Sequence, residues 1–307
     1  MKAVTKIIFL DHNGEKFFGE GPARLLHDIE ERGSLRAAAM SMGMAYTKAL
    51  RIMKHAEAAL GFPLTTRITG GKDGGGSKLT PEGKAWLARY ESYRQACTAA
   101  NQAFFRKFFP AVGCVIMASG MSKRFGNNKL MAAFDDAPMI LRALEATEGL
   151  VQHRVVVTRH EDVAELCRAR GVEVVLHELP HRSDTIRLGL EALGDVDCCM
   201  FLPGDQPLLG KRTVAELIQT WEANRERIVR PVCGDVSGSP VLFPHWTFPE
   251  LINLPEGKGG SCVIKGHPDQ VAEINISDPY ELMDADTPET LQLLQQISKA
   301  RKACHFV

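Results

Sequence analysis

From Pro110 onward the chain alternates short Val- and Ile-rich runs with segments of helical period, and no other feature constrains the fold as much. Strands that are apolar along their length, each followed by a helix, must be covered on both faces, which is the signature of a parallel α/β sheet. Before Pro110 the pattern is helical with one glycine-rich interruption. A helical stretch from about Pro81 to Phe109 joins the halves, carries "FFRKFF" at its end and is stopped by Pro110. Its phenylalanines are expected to form a contact surface, at the domain junction or in a dimer. A chain of 307 residues suits about two domains, and the change in pattern places them at 1–110 and 111–307.

The net charge of zero hides a division: residues 1–110 hold 17 Lys+Arg against 10 Asp+Glu, and the remainder 20 against 27. A basic N-terminal third suits a polyanionic partner and equally a solvated surface, so the motifs must decide. The opening run "IIFL" is too short for a signal peptide and is followed at once by "DHNGEK", so a cytoplasmic protein with no membrane partner is expected. Eight cysteines without a C-x-x-C pair, two of them adjacent at Cys198 and Cys199, read as buried thiols in a reducing compartment.

Pro22 can open a first helix, "PARLLHDIEER", with Leu25, Leu26 and Ile29 on one face and Gly33 as its stop. Ser34 caps a short second helix, "LRAAAMSM", and Gly43 turns into a third from about Ala45 to Leu60. That helix exposes Tyr46, Thr47, Lys48, Arg51 and Lys54 and turns Leu50, Met53 and Ala56 inward, an arrangement suited to a DNA major groove. "FPLTTRIT", "GGKDGGG" and "SKLT" then read as two strands around a glycine-rich tip that carries Lys72, a wing. The tip is not a P-loop, because G-x-x-x-x-G-K-[ST] is absent and its glycines lie between two strands. A packing module that never touches DNA is the plainer alternative; the basic balance, the wing and the glycine turn together favour a DNA-binding winged helix-turn-helix. Over residues 15–95 this stretch closely resembles the DNA-binding domain of the ModE-type molybdate-responsive transcriptional regulators. The resemblance implies a homodimer whose third helix reads DNA and whose wing touches the phosphate backbone. The small molybdate-binding domains of those regulators have no counterpart after Pro110.

The first apolar run of the second half, "VGCVIMASG", ends at Gly120, and the loop behind it reads G-x-S-x-R-x-G-x-x-K through Gly120, Ser122, Arg124, Gly126 and Lys129. Glycines let backbone N–H groups approach phosphate oxygens, arginine offers a planar fork of donors, and lysine supplies a mobile point charge. Such a loop suits a triphosphate whose departing pyrophosphate must be neutralised; the dinucleotide fingerprint G-x-G-x-x-G is absent. A further run, "CCMFLPGDQPLL", delivers Asp205 to the carboxyl end of a strand that Pro207 keeps from continuing, which makes Asp205 the candidate metal ligand. In "YELMDADTPETL", Asp284 and Asp286 stand two apart and in an extended segment point the same way, before Thr287 and Pro288 start a helix. Two carboxylates from distant segments can hold one Mg²⁺ against a triphosphate. Taken singly, G-D-x-P reads equally as a turn and D-x-D-T-P as a helix cap; with the cationic loop they favour a site. His177, His181 and His245 read as surface or packing residues.

These three motifs resemble the nucleotidyltransferases of molybdenum cofactor maturation, in the MocA-like cytidylyltransferase branch, over residues 112–298. The resemblance implies an α/β protein whose second domain has the Rossmann-like nucleotide-diphospho-sugar transferase fold. It implies phosphate contacts from Gly120, Arg124 and Lys129, with Ser122 in the same loop, Mg²⁺ on Asp205 with Asp286 as second ligand, and transfer of a nucleotide to a molybdopterin-type acceptor. Ala118-Ser119-Gly120 stands where the cytidylyl branch has A-A-G and the guanylyl branch A-G-G, which favours CTP as the nucleoside triphosphate. "HRSDTIRLGL" offers Ser183, Asp184, Thr185 and Arg187 as base or acceptor contacts, and "LPEGKGGS" carries Gly257 and Ser261 where the family usually has Asp and Arg. The acceptor is therefore open to a variant pterin or another phosphorylated compound. The implied reaction is attack of an acceptor phosphate on the α-phosphorus of CTP, with Arg124, Lys129 and Asp205 as the catalytic residues. The nucleophile is already anionic, so no general base is required. Two alternatives stand beside this bifunctional reading: a regulator whose second domain only senses a nucleotide or pterin, and a transferase whose helical domain only dimerises.

Overall fold

The computed structural model describes residues 3–68, 76–121, 125 and 128–304, and the chain divides at Phe108 and Phe109 into two compact units. In the first unit a hairpin of β1 (Phe9–Leu10) and β2 (Lys16–Phe18) precedes α1 (Glu20–Arg32), α2 (Leu35–Ser41) and α3 (Tyr46–Leu60). The hairpin was not expected. Its turn is closed by Asp11, whose Oδ1 accepts from Asn13 N–H and Glu15 N–H, both at 2.9 Å. α1 starts at Glu20, so Pro22 sits within the first turn, where its missing N–H costs nothing, and Gly33 closes the helix at φ 73°. Ser34 Oγ accepts from Ala37 N–H at 3.1 Å and so caps α2.

Strands β3 (Thr65–Ile68) and β4 (Gly76–Leu79) pair antiparallel, and Glu57 Oε1 fixes the entry to β3 by accepting from Leu64 N–H at 2.9 Å and Thr65 N–H at 3.2 Å. The tip that carries Lys72 lies outside the described residues. α4 (Pro81–Phe108) buries Gly83, Leu87 and Tyr90 in its first third; a Cβ at Gly83 would meet the Leu64 carbonyl oxygen at 2.2 Å. Phe18, Trp86 and Tyr90 close this core in edge-to-face contacts, with Phe18 centroids 5.5 Å from Trp86 and 5.1 Å from Tyr90. The later turns of α4 bury none of their residues, and Phe104 and Phe108 are exposed.

The second unit runs β5 (Val112–Ala118), β6 (Ala133–Phe134), β7 (Ala137–Pro138), α5 (Ile140–Thr147), β8 (His153–Thr158), α6 (Glu161–Ala169), β9 (Glu173–Leu176), α7 (Arg182–Leu193), β10 (Cys198–Pro203) and α8 (Lys211–Ala223). It continues through β11 (Ile228–Cys233), β12 (Val236–Ser237), β13 (Val241–Pro244), α9 (Phe248–Ile252), α10 (Ser261–Gly266), β14 (Val271–Asn275) and α11 (Pro288–Cys304). The main sheet has the order β12-β11-β13-β10-β5-β8-β9, with β14 added on β11. β10, β5, β8 and β9 are parallel, but β13 pairs antiparallel with both β10 and β11. The sheet is thus mixed where the alternation predicts a parallel one, because β11 returns through a short connection that leaves no room for a crossover helix.

Alternate residues of β5 supply two cores. Val112, Cys114, Ile116 and Ala118 face the layer of α5, α6, α8 and α11, and Val115 faces α7 and α9. A Cβ at Gly189 would come within 2.5 Å of Val115 Cγ1, so α7 lies as close to the sheet as a backbone allows. Cys114, Cys167, Cys198 and Cys199 are buried, and burial pushes the Cys114 thiol up to about 12 and that of Cys167 to about 11; Cys262, by contrast, is exposed. Among the described residues no helix is long and apolar enough to cross a membrane.

Candidate active site

The chain leaves β5 on one side to build β8 and β9, then crosses by α7 to lay β10 on the other side of β5. The carboxyl ends of β5 and β10 therefore flank a topological switch point, where open α/β sheets bind ligands. Met117 is in register with Pro203, so Ser119-Gly120 and Gly204-Asp205 emerge side by side. Gly204 N–H donates to Met117 O at 3.0 Å, and a Cβ at Gly204 would lie 2.8 Å from Ile140 Cδ1, so a side chain here would have to displace that methyl group.

Lys129 sits on a short 3₁₀ turn, Lys129–Met131, that Asn128 starts by accepting from Leu130 N–H at 3.2 Å. Its Nζ lies 2.5 Å from Asp205 Oδ2 and 2.8 Å from Asp286 Oδ1, with only 9% of the side chain exposed. Burial pulls the Lys129 pKa down, but the Asp205 and Asp286 carboxylates outweigh it and hold the ammonium above its usual range. Ala285 N–H donates to Asp205 O at 2.8 Å and pins the 284–286 segment to the β10 turn. That segment is not extended. Asp286 N–H donates to Asp284 O at 3.0 Å, and the tight turn sends the two carboxylates to different partners, Asp286 to Lys129 and Asp284 to Gln206 Nε2 at 2.9 Å. The Asp284 carboxyl is raised by the protein around it and then by Asp205 and Asp286, against the Gln206 hydrogen bond.

Ser119, Gly120, Lys129, Asp205, Asp284 and Asp286 line one cavity of about 920 Å³. Three expected nucleotide contacts stand elsewhere. Ala118 is a core residue whose carbonyl accepts from Thr158 Oγ1 at 3.0 Å. Asp184 closes a capping box on α7 by accepting from His181 N–H at 3.1 Å, and Ser183 is buried. The phase of α7 turns Arg182, Thr185 and Ile186 to the cavity instead, while Arg187 pairs with Glu191 at 3.2 Å. Ser122 and Arg124 lie outside the described residues.

His160 carries no expectation from the sequence, and His177, expected only as a surface or packing residue, joins it at the site. His160 Nε2 donates to Gly120 O at 2.9 Å and His177 Nε2 stands 2.8 Å from Ser119 Oγ, so the loops after β8 and β9 both grip the loop after β5. Partners 40 and 58 residues away leave no local signal. In the first unit, α3 leaves Tyr46, Thr47, Lys48, Arg51 and Lys54 exposed; Ala49, with Met53 and Ala56, is buried, and Leu50 only in part.

The family model described as the MobA-like NTP transferase domain matches residues 114–271, more than half of the chain. The chain belongs to that family. In front of the MobA-like domain, residues 23–84 match the bacterial regulatory helix-turn-helix family of the lysR type. The chain is similar to the 3-deoxy-manno-octulosonate cytidylyltransferase of Acinetobacter baumannii, 34% identical over 109 residues, 34% of this chain and 43% of that protein. The molybdenum-pterin-binding protein MopB of Rhodobacter capsulatus is 36% identical over 83 residues, 27% of this chain and 30% of its own length. The chain thus spans less than half of these curated relatives. Among solved structures, Rv0371c of Mycobacterium tuberculosis H37Rv shares the fold at a TM-score of 0.54 and 23% identity, over 61% of this chain and 98% of that one. Its complex with manganese gives 0.51 and 21%, over the same shares. The MobA-like domain is a nucleotidyltransferase domain by this membership.

Proposed function

We propose that the second domain transfers a nucleotide, CMP from CTP, to a phosphorylated pterin-type acceptor with release of pyrophosphate, and that the first domain binds DNA as a homodimer. The observation that carries the reading is the Lys129 ammonium held between Asp205 and Asp286 at the switch point, in the cavity that Ser119 and Gly120 also line. An acceptor phosphate oxygen forms a bond to the α-phosphorus of CTP while the bond to the β-phosphate oxygen breaks, and the electron pair leaves on pyrophosphate. The entering oxygen is already anionic, so positioning and charge neutralisation suffice. Lys129 supplies a buried cation, Arg124 the guanidinium of the loop, and Arg182, which lines the cavity from the first turn of α7, a cation for the acceptor phosphate.

The donor set fits a hard divalent cation. Asp205 and Asp286 offer carboxylate oxygens around a position that already holds one positive charge, and Gln206 Oε1 is buried beside them with no hydrogen-bond partner among the described residues. Asp205 and Asp286 are the residues that would hold Mg²⁺, and the bound ion would neutralise phosphate charge. The manganese complex of the mycobacterial neighbour supports a divalent ion. The exposed cations of α3 support DNA binding, and the unburied later turns of α4 support self-association.

The experiment is pyrophosphate release with CTP, GTP, ATP or UTP, Mg²⁺ and a molybdopterin acceptor, for the intact chain and for Asp205→Ala. CTP-selective release that falls at least about 10²-fold in Asp205→Ala is expected. Preference for GTP would move the chain to guanylyl transfer. No release from folded protein with a verified acceptor would overturn the transferase reading in favour of a regulator that senses the nucleotide, a reading the attached helix-turn-helix domain supports.

A further inference from the structure

His177 stands behind the cavity wall, and its neighbours Leu179, Pro180 and His181 form part of that wall. The ring is engaged at both nitrogens. Leu179 N–H donates to Nδ1 at 3.1 Å, so Nδ1 carries no hydrogen and the neutral imidazole must bear it on Nε2. Nε2–H then donates to Ser119 Oγ at 2.8 Å. Ser119 in turn directs its own hydrogen to Val157 O at 3.1 Å. The result is a one-way chain from the Leu179 amide through the imidazole and the hydroxyl to the carbonyl of β8. A hydroxyl has one hydrogen and two lone pairs; with the hydrogen given to Val157 and one lone pair taken by His177, Ser119 shows the cavity a lone pair and nothing else.

The surroundings of the ring favour its neutral form. Burial and then the Arg159 guanidinium, with Arg187 adding to them and Asp184 opposing, hold the His177 pKa below its usual range. The lowered pKa favours the neutral ring, which leaves Nδ1 without a hydrogen to accept from Leu179 N–H, where an imidazolium would set two N–H donors against each other.

We propose that His177 is a positioning residue for base selection: by fixing the direction of the Ser119 hydrogen it makes this part of the wall accept hydrogen bonds only, so that a ring offering an amino hydrogen is taken over an isostere offering a carbonyl oxygen. The inference rests on reading the cavity as a nucleotide site. CTP and UTP are the pair that tests it, since one carries an amino group at C4 and the other a carbonyl. A wall that is built to accept discriminates because the wrong ligand leaves two acceptors facing each other with no hydrogen between them.

The test compares the intact chain with His177→Phe, which keeps a ring and removes both nitrogens, and with His177→Gln, which restores an N–H near the position of Nε2. The ratio of affinities for CTP and UTP, measured by equilibrium titration without an acceptor, is expected to fall about tenfold in His177→Phe and to recover in His177→Gln. Long-range ¹H–¹⁵N NMR of the intact chain is expected to show the Nε2–H tautomer at His177, and this readout requires no variant to fold. An unchanged ratio in folded His177→Phe, or the Nδ1–H tautomer in the wild type, overturns the proposal. A chain that binds CTP over UTP with this His177 dependence and yet releases no pyrophosphate sustains the inference while the transfer reading fails.

Discussion

Asp284 shows what the cavity costs at the scale of one residue. The pKa of its carboxyl is raised by burial and by two neighbouring carboxylates, so folding shifts the group toward its neutral form. A carboxyl whose folded pKa lies above the unfolded value of 3.8 contributes stability below that value and loses it as pH rises through the folded pKa. Asp284→Asn is therefore expected to raise the melting temperature at pH 7, in chelator, and to converge with the wild type near pH 4. A lower melting temperature at pH 7 would contradict the electrostatic account. Lys129 and Asp205 were legible in the sequence as residue types at the ends of apolar runs. Their 2.5 Å contact was not, because it depends on how β5 and β10 align across a long crossover. Ser183 and Asp184 were misplaced for a different reason. The "HRSDT" string is a helix start with His181 as its cap, and once the helix begins, phase alone decides that residues 182, 185 and 186 see the cavity.

Among the elements, α3 and α7 have opposite needs. α3 is useful for what it leaves uncovered, with Thr47, Arg51 and Lys54 one turn apart along its exposed side. Arg51→Ala and Lys54→Ala are each expected to weaken a DNA complex and, where the contact is to phosphate, to lower the slope of log affinity against log salt by about 1. An unchanged affinity and slope in both variants would leave the first domain as a dimerisation module. α7 is useful for how closely it packs. Gly189→Ala forces a methyl into Val115 and is expected to cost about 1–3 kcal/mol of the second domain's stability, read by denaturant titration. The periodicity of α3 could be read in advance; the glycine contact of α7 could not, since its partner comes from another element. The β1–β2 hairpin escaped notice because strands of two and three residues carry no periodicity to read.

For the whole molecule, each unit has a hydrophobic core of its own, one around Phe18, Leu26 and Tyr90 and the others on the two faces of β5. Calorimetry is expected to resolve two transitions, and Gly189→Ala is expected to move only one of them; a single transition shifted as a whole would mean that the units unfold together. The order of strands also has a consequence for how the chain is made. β5 closes against β10, and the pinning contacts between Ala111 and Asp197 join residues 86 apart. Local pairing cannot build the middle of that sheet, so on a ribosome β5 must wait, unpaired on that edge, until nearly the whole crossover has been synthesised. The helix-turn-helix unit needs nothing that follows Phe108 to form its core, so it is complete while the second unit is still an open strand in search of its neighbour.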